Sequence, residues 1–310
     1  MWKFVLRRLL LIIPIVFGVV FIVFTIMNIT PSDPGRAILG LNASQEAVDK
    51  FNEEIGYNRP FFTKFFDYIV GIITRFDFGT SYSTNKTVIN EISINFPVTF
   101  KLVIISSILN ACIGISIGVY SAVKQYSLAD NILRVTAMIM AAVPEFWVAM
   151  LAILLFALKL KWLPSNGIDS WKGWVIPIAI TTLTQAAPLI RLTRTILLET
   201  IRQDYIRTVR AKGAPEKIVI WRHAFRNSLL PVINNVGIRF AGSLGGMVVM
   251  EQMFSMPGLG NLSLKAIYAK DLPVVMGCTL FLSSIFCLMM LVIDIISAYC
   301  DPRVKAKYEN

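Results

Sequence analysis

Charge is scarce in this chain: Asp, Glu, Lys and Arg make up only 16% of its 310 residues, against 55% hydrophobic. An ordinary soluble domain needs more polar surface than that, so composition places the chain in a membrane. Histidine is almost absent, and His223 has no partner at catalytic spacing. There is no H-E-x-x-H and no pair of acids in a metal arrangement, so an enzyme reading has little to stand on. The G-x-x-x-x-G-K-[ST] phosphate loop is missing too, which excludes ATP binding through a P-loop on this chain. The four cysteines, Cys112, Cys278, Cys287 and Cys300, fall within or at the end of apolar runs without metal-ligand spacing. They read as small core residues. A net charge of +11 would suggest nucleic acid in a soluble protein, but no aromatic–basic groove module accompanies it. Basic residues gathered on the inner side of a membrane explain the charge more economically.

What is present is apolar sequence in helix-length runs. A spanning helix needs about 20 predominantly apolar residues, and six stretches qualify: 9–29, 99–122, 135–158, 174–194, 229–250 and 276–299. The expected fold is therefore an all-α membrane protein with six transmembrane helices. The expected division is a first span over 1–29, an extracytoplasmic region over 30–98, a five-helix core over 99–299 and a tail over 300–310. The first run is too long for the apolar part of a signal peptide and no small-residue cleavage site follows, so it is expected to stay. Six spans put both termini on one side. With the termini inside, seventeen Lys and Arg lie inside against eleven outside, and region 30–98 carries eight acids against six basic residues. Termini and the loop after the fourth span are thus expected in the cytoplasm.

Local signals add detail. Ser44 suits a helix N-cap, with Glu46 and Lys50 four apart behind it. Phe61–Ile73 is aromatic-rich and suited to lying along a membrane surface. Gly114 and Gly118, flanked by Ala111 and Ala122, form a small-residue face that permits close helix approach. Pro144 is expected to kink the third span. Glu145, Arg239 and Asp294 are charges well inside apolar runs, and such charges mark pathways or pairs. Glu145 and Arg239 each lie about ten residues into their spans, at similar expected depth.

The most basic stretch is Arg191–Pro231, RLTRTILLETIRQDYIRTVRAKGAPEKIVIWRHAFRNSLLP, with nine basic residues against three acids. Leu198, Ile201, Tyr205 and Thr208/Val209 recur at spacings of three and four, with Arg202, Arg207 and Arg210 off that stripe. Gly213 suits a left-handed helix end, Pro215 the first position of a new helix, and Glu216 its positive first turn. Ile218, Trp221, Phe225 and Leu229 continue an apolar stripe. Two helices meeting at a turn make an elbow, a shape suited to docking.

These residues carry a resemblance. The runs Tyr205–Gly213 (YIRTVRAKG) and His223–Pro231 (HAFRNSLLP) resemble the cytoplasmic coupling loop of permeases of ATP-binding-cassette (ABC) importers, closest to the dipeptide/oligopeptide/nickel branch. Arg207, Thr208 and Val209 depart from the general Glu-Ala-Ala opening, a departure which that branch tolerates. Further marks run along the chain: Pro31-Ser32-Asp33-Pro34, Arg59-Pro60, Asp77–Ser81, Glu251 with Phe254 and Pro257–Gly260, Lys270–Pro273 and Asp301-Pro302-Arg303.

The resemblance implies a type I importer permease fold with the coupling helix in loop 195–228. It implies that Tyr205, Arg207, Arg210, Ala211, Lys212, Gly213, Ala214, Pro215 and His223 meet an ATPase. The partners implied are a second homologous permease, two ABC ATPase subunits carrying ATP and Mg, and an extracytoplasmic binding protein, around a pathway in the bacterial cell membrane. No cofactor is expected on this chain. Peptides are the expected cargo, with nickel or a metal chelate as the alternative. Glu145 and Arg239 are candidate pathway residues on charge and depth alone, because relatives usually carry uncharged residues there. A self-contained secondary transporter or channel is the rival class. It fits less well, because intramembrane charges are few and no two halves repeat.

Overall fold

The computed structural model describes residues 2–30, 33–40 and 42–300. Among them the chain is helical, apart from one isolated bridge between Thr80 and Thr87. A long first helix, α1 (Trp2–Ile29), leads to three shorter ones: α2 (Pro34–Leu39), α3 (Gln45–Glu54) and α4 (Phe61–Arg75). The long α5 (Val88–Val123) follows, then α6 (Leu128–Ala142), α7 (Glu145–Ala152, running on as a π-helical turn over Ile153–Lys159) and α8 (Trp171–Ile201). Next come α9 (Asp204–Ala211), α10 (Glu216–Ile218, running through a π-helical stretch Val219–Phe225 into α11, Arg226–Gly246), α12 (Val248–Met253), α13 (Leu259–Tyr268) and α14 (Leu272–Cys300).

Among the described residues, four helices are long and apolar enough to cross a membrane: α1, α5, α8 and α14. The expected span 135–158 is not one helix. α6 and the α7 unit meet at 99°, because Pro144 cannot continue α6 and caps α7 instead, with extended backbone at φ −60°, ψ 136°. Counted as one span, this bent pair makes five. The sixth expected span, 229–250, also differs. Its helix α11 has 21 residues, a bilayer-crossing length. However, Asn227, Asn234, Asn235, Arg239 and Ser243 dilute its apolar character, and it breaks at Met247.

The core follows from close helix pairs. α5 and α8 pack along each other, and a methyl group at Gly114 would fall 2.6 Å from Leu189 Cδ2, one at Gly118 2.6 Å from Thr193 Cβ. The small-residue face in the sequence is therefore a contact of backbone against side chain. A cluster of Leu102, Val103, Ala149, Ile176, Ile180, Leu244, Met250 and Phe254 joins α5, α7, α8, α11 and α12. Cys278 and Cys287 are buried as expected, whereas Cys112 is exposed on the outward side of α5, and the side chain of Cys300 lies outside the described set.

Several signatures that are far apart in sequence turn out to be latches. Glu251, fully buried, accepts from Thr99 Oγ1 at 2.5 Å and from the Asn261 amide at 2.8 Å, while Thr99 Oγ1 accepts from the Leu259 amide at 2.8 Å. The carboxylate thus caps the N-terminus of α13, where free amides favour an anion. Gly258 is required there, since a Cβ would sit 2.2 Å from Glu251 Cδ. Asp271 accepts from Ser81 Oγ at 2.6 Å and the Ser83 amide at 3.2 Å, joining the 77–81 and 270–273 signatures across 190 residues of chain. Tyr82 beside it has its phenol pushed up to about 12, by burial and then by the Asp271 charge.

Ser44 caps α3 as expected, accepting from the Ala47 amide. Asp33 caps α2 and accepts from Asn52 Nδ2 at 2.7 Å, a bond that holds its carboxyl below the ordinary value. α4 lies against α1: Phe17, Phe21 and Phe24 meet Phe61 and Phe65 with ring centroids 4.9–6.1 Å apart. Its other face exposes Phe62, Phe66, Val70 and Ile73. The signature at Pro31-Ser32 and the whole of 301–310 lie outside the described residues.

Candidate functional site

The basic elbow is built as two helices meeting at a turn. α8 ends at Ile201, the chain breaks at Arg202–Gln203, and α9 starts at Asp204, whose acidic side chain suits a first turn. Gly213 closes α9 at φ +80° with its amide bonded to the Arg210 carbonyl at 2.9 Å, the left-handed end that the sequence predicts. Pro215 is the N-cap of α10 rather than its first helical residue, with Glu216 opening the helix. Across the turn Arg210 forks onto Glu216, at 2.6 Å through one terminal nitrogen and 3.1 Å through Nε. That fork holds the Glu216 carboxyl below its ordinary value and raises the Arg210 guanidinium further.

Beneath the turn is an apolar floor. Ile206 of α9 is fully buried against Val119 and Ala122 of α5, Leu197 of α8, and Val219 and Ala224 of the π-helical stretch. The expected stripes hold in part: Leu198, Ile201, Val209 and Phe225 pack half-buried against this floor, whereas Tyr205, Ile218 and Trp221 do not. The helix break at Arg202–Gln203 turns Tyr205 outward and Ile206 inward. In the second arm the buried residues are Val219, Ile220, Ala224 and Ser228, because a π-helical turn holds more residues than an α-turn and shifts the face. Ile218 and Trp221 therefore stand exposed, with Trp221 edge-on to Phe225 at 5.3 Å.

The residues singled out from sequence lie on the two arms of this elbow and its turn. Tyr205, Arg207, Arg210, Ala211, Lys212, Gly213 and Pro215 are exposed, and Ala214 and His223 are half-buried. Arg207 leans to Asp204 at 3.5 Å. Asn227 Nδ2 donates both to Tyr205 Oη and to the His223 carbonyl, each at 3.0 Å, pinning α9 to the second arm. Asn227 was legible within the HAFRN run but not in its bridging role. Ile206 and Trp221 could not be assigned without knowing where the helices break.

The intramembrane charges separate. Asp294 pairs with Arg8 at 3.0 Å. Glu145 opens α7 at the Pro144 break, with Oε1 buried and without a hydrogen-bond partner. The hydroxyl of fully buried Thr181 stands beside it, equally unpartnered. Arg239 Nε donates to Asn235 Oδ1 at 2.8 Å, one turn back on α11, and its charged neighbour is Arg191. No ion pair joins Glu145 to Arg239 among the described residues.

Membrane-length helices, a bent helix pair and a basic helical elbow are features of a multi-pass membrane protein. A family model described as the binding-protein-dependent transport system inner membrane component matches residues 114–306, and one for the N-terminal part of that membrane component matches residues 1–103. The chain belongs to this family of ABC importer permeases. It is 35% identical to a dipeptide transport system permease protein, DppB, of Alkalihalophilus pseudofirmus, over 98% of this chain and all of that protein. A putative peptide transport system permease protein of Brucella abortus is 37% identical, over 98% of this chain and 99% of that one. The glutathione transport system permease protein GsiC of Escherichia coli is 33% identical, over 99% of this chain and all of that one.

Proposed function

We propose that this chain is one of two permease subunits of an ATP-driven importer that carries peptides across the bacterial cytoplasmic membrane. Family membership along the full chain sets aside a self-contained transporter or channel. The printed names of the relatives favour peptide over nickel as cargo. In this reading both termini and loop 195–228 are cytoplasmic, 30–98 is extracytoplasmic, and a binding protein delivers the peptide there. Hydrolysis sits on two separate ATPase subunits, which hold ATP and Mg. This chain contributes no catalytic group and no cofactor.

The observation that supports the coupling role is the exposure of Tyr205, Arg207, Arg210, Ala211, Lys212, Gly213 and Pro215 on one helical elbow, with Ala214 and His223 half-buried. Ile218 and Trp221 of the second arm are exposed too, and an exposed Trp suits an interface anchor. Closure of the ATPases would push this elbow, and the helices fixed to it would convert the push into alternating access. Glu145 and Arg239 are the candidate pathway residues. Each carries a charge that the membrane penalises by at least about 2.5–3.5 kcal/mol on insertion scales unless it faces water or a partner.

The test is uptake of labelled dipeptides and of nickel by a strain lacking this subunit, with and without the gene restored. Restored peptide uptake is expected. Restored nickel uptake without peptide uptake would overturn the cargo assignment.

A further inference from the structure

Asp130 lies outside every signature and outside the coupling surface, yet it is fully buried at the start of α6. Three groups converge on its carboxylate with four hydrogen bonds. Ser121 Oγ of α5 donates to Oδ1 at 2.5 Å, and the Tyr126 amide donates to Oδ2 at 3.0 Å. Arg194 of α8 donates from Nε to Oδ1 and from a terminal nitrogen to Oδ2, each at 2.8 Å. The Arg194 side chain is only 13% exposed. A buried fork of this kind is strong and directional, and a lysine or an amide does not reproduce it.

Its position gives it a task. Ser121 precedes Ala122 of the elbow floor, and Arg194 lies one turn before Leu197 of the same floor. The elbow's seat and the Asp130 clamp therefore use the same ends of α5 and α8, which are already held together at Gly114 and Gly118. On its other side, Asp130 opens the helix that runs to the 99° bend, beyond which Glu145 stands.

We propose that Asp130 is a positioning residue for transport. It ties α6 to the joined α5/α8 pair, so that displacement of the elbow carries α6 with it and acts at the α6–α7 bend. The proposal rests on the coupling role assigned to residues 205–215. It adds that the stroke leaves the elbow through one charged clamp as well as through apolar packing.

The test uses the assembled importer with its second permease, ATPases and binding protein in lipid vesicles. Spin labels at Leu128 of α6 and Thr195 of α8, both exposed, are placed on a background with the native cysteines replaced. The same distance distribution is expected in the nucleotide-free and ATP-trapped states. A changed distance in the unsubstituted clamp would overturn the proposal, whatever the variants do. Asp130→Asn is expected to raise the ATP hydrolysed per Ala-Ala imported by on the order of fivefold or more, with ATPase activity retained. Arg194→Lys should raise it less. Equal proportional loss of hydrolysis and uptake in both variants would reduce the clamp to a folding contact and sink the idea. If Asp130→Asn does not assemble, the distances and Arg194→Lys decide. A wild type that hydrolyses ATP but takes up no Ala-Ala would count against the peptide reading, while the distance measurement still judges the clamp.

Discussion

Gly213 holds φ at +80° with open space where a side chain would go, so its role is conformational rather than steric. Gly213→Val forces a branched side chain into the left-handed region at a cost of roughly 1–2 kcal/mol. Peptide uptake is expected to fall while the protein still inserts, as read by transport assays beside membrane-fraction blots; normal uptake would remove Gly213 from the coupling surface. Glu216 offers a finer test. Its partner Arg210 lowers its folded-state value below the ordinary 4.5, so the fork's stabilisation is present above about pH 4.5 and lost as pH falls through the lowered value. Both side chains are substantially exposed, so Glu216→Gln should cost no more than about 0.5 kcal/mol. The melting-temperature gap between wild type and variant should close in acid, and a gap that widens there would contradict the pairing.

Between elements, the Glu251 latch explains why a glycine follows Pro257. Gly258→Ala would drive a methyl group into the Glu251 carboxylate, and displacing a fully bonded buried group should cost about 1–3 kcal/mol. A lower melting temperature of the purified subunit is expected, whereas an unchanged one would show that the latch yields freely. The bent α6–α7 pair and α11 carry the second test at this scale. Glu145 and Arg239 make no ion pair with each other, so losses of uptake in Glu145→Gln and Arg239→Gln are expected to add in the double variant. A double variant much less impaired than the sum would show that the two charges meet in another state of the cycle. Wild-type uptake in both single variants would take them off the pathway.

For the whole molecule, the prediction is topological. Asn58 and Lys217 are both exposed, so membrane sidedness alone decides whether an impermeant reagent reaches them. A cysteine at Asn58 should label in intact cells, or in spheroplasts if an outer membrane intervenes, and one at Lys217 should not. The reverse pattern would invert the assignment of inside and outside.

The sequence by itself determined the membrane class and the family, because composition and linear runs such as Tyr205–Gly213 survive without knowledge of contacts. It also determined features set by one residue's backbone preference: the left-handed Gly213, the Ser44 cap, the break at Pro144 and the close approach at Gly114 and Gly118. Only the tertiary structure decided which faces are buried. A two-residue break at Arg202–Gln203 and a π-helical stretch at Val219–Phe225 rotate the elbow's stripes, and helical periodicity assumes an unbroken helix. Likewise only the fold could join Thr99 to Glu251, Ser81 to Asp271 and Arg194 to Asp130, since these bonds cross 152, 190 and 64 residues of chain. No local pattern encodes which distant hydroxyl or guanidinium a buried carboxylate will meet; packing of the long helices brings them together.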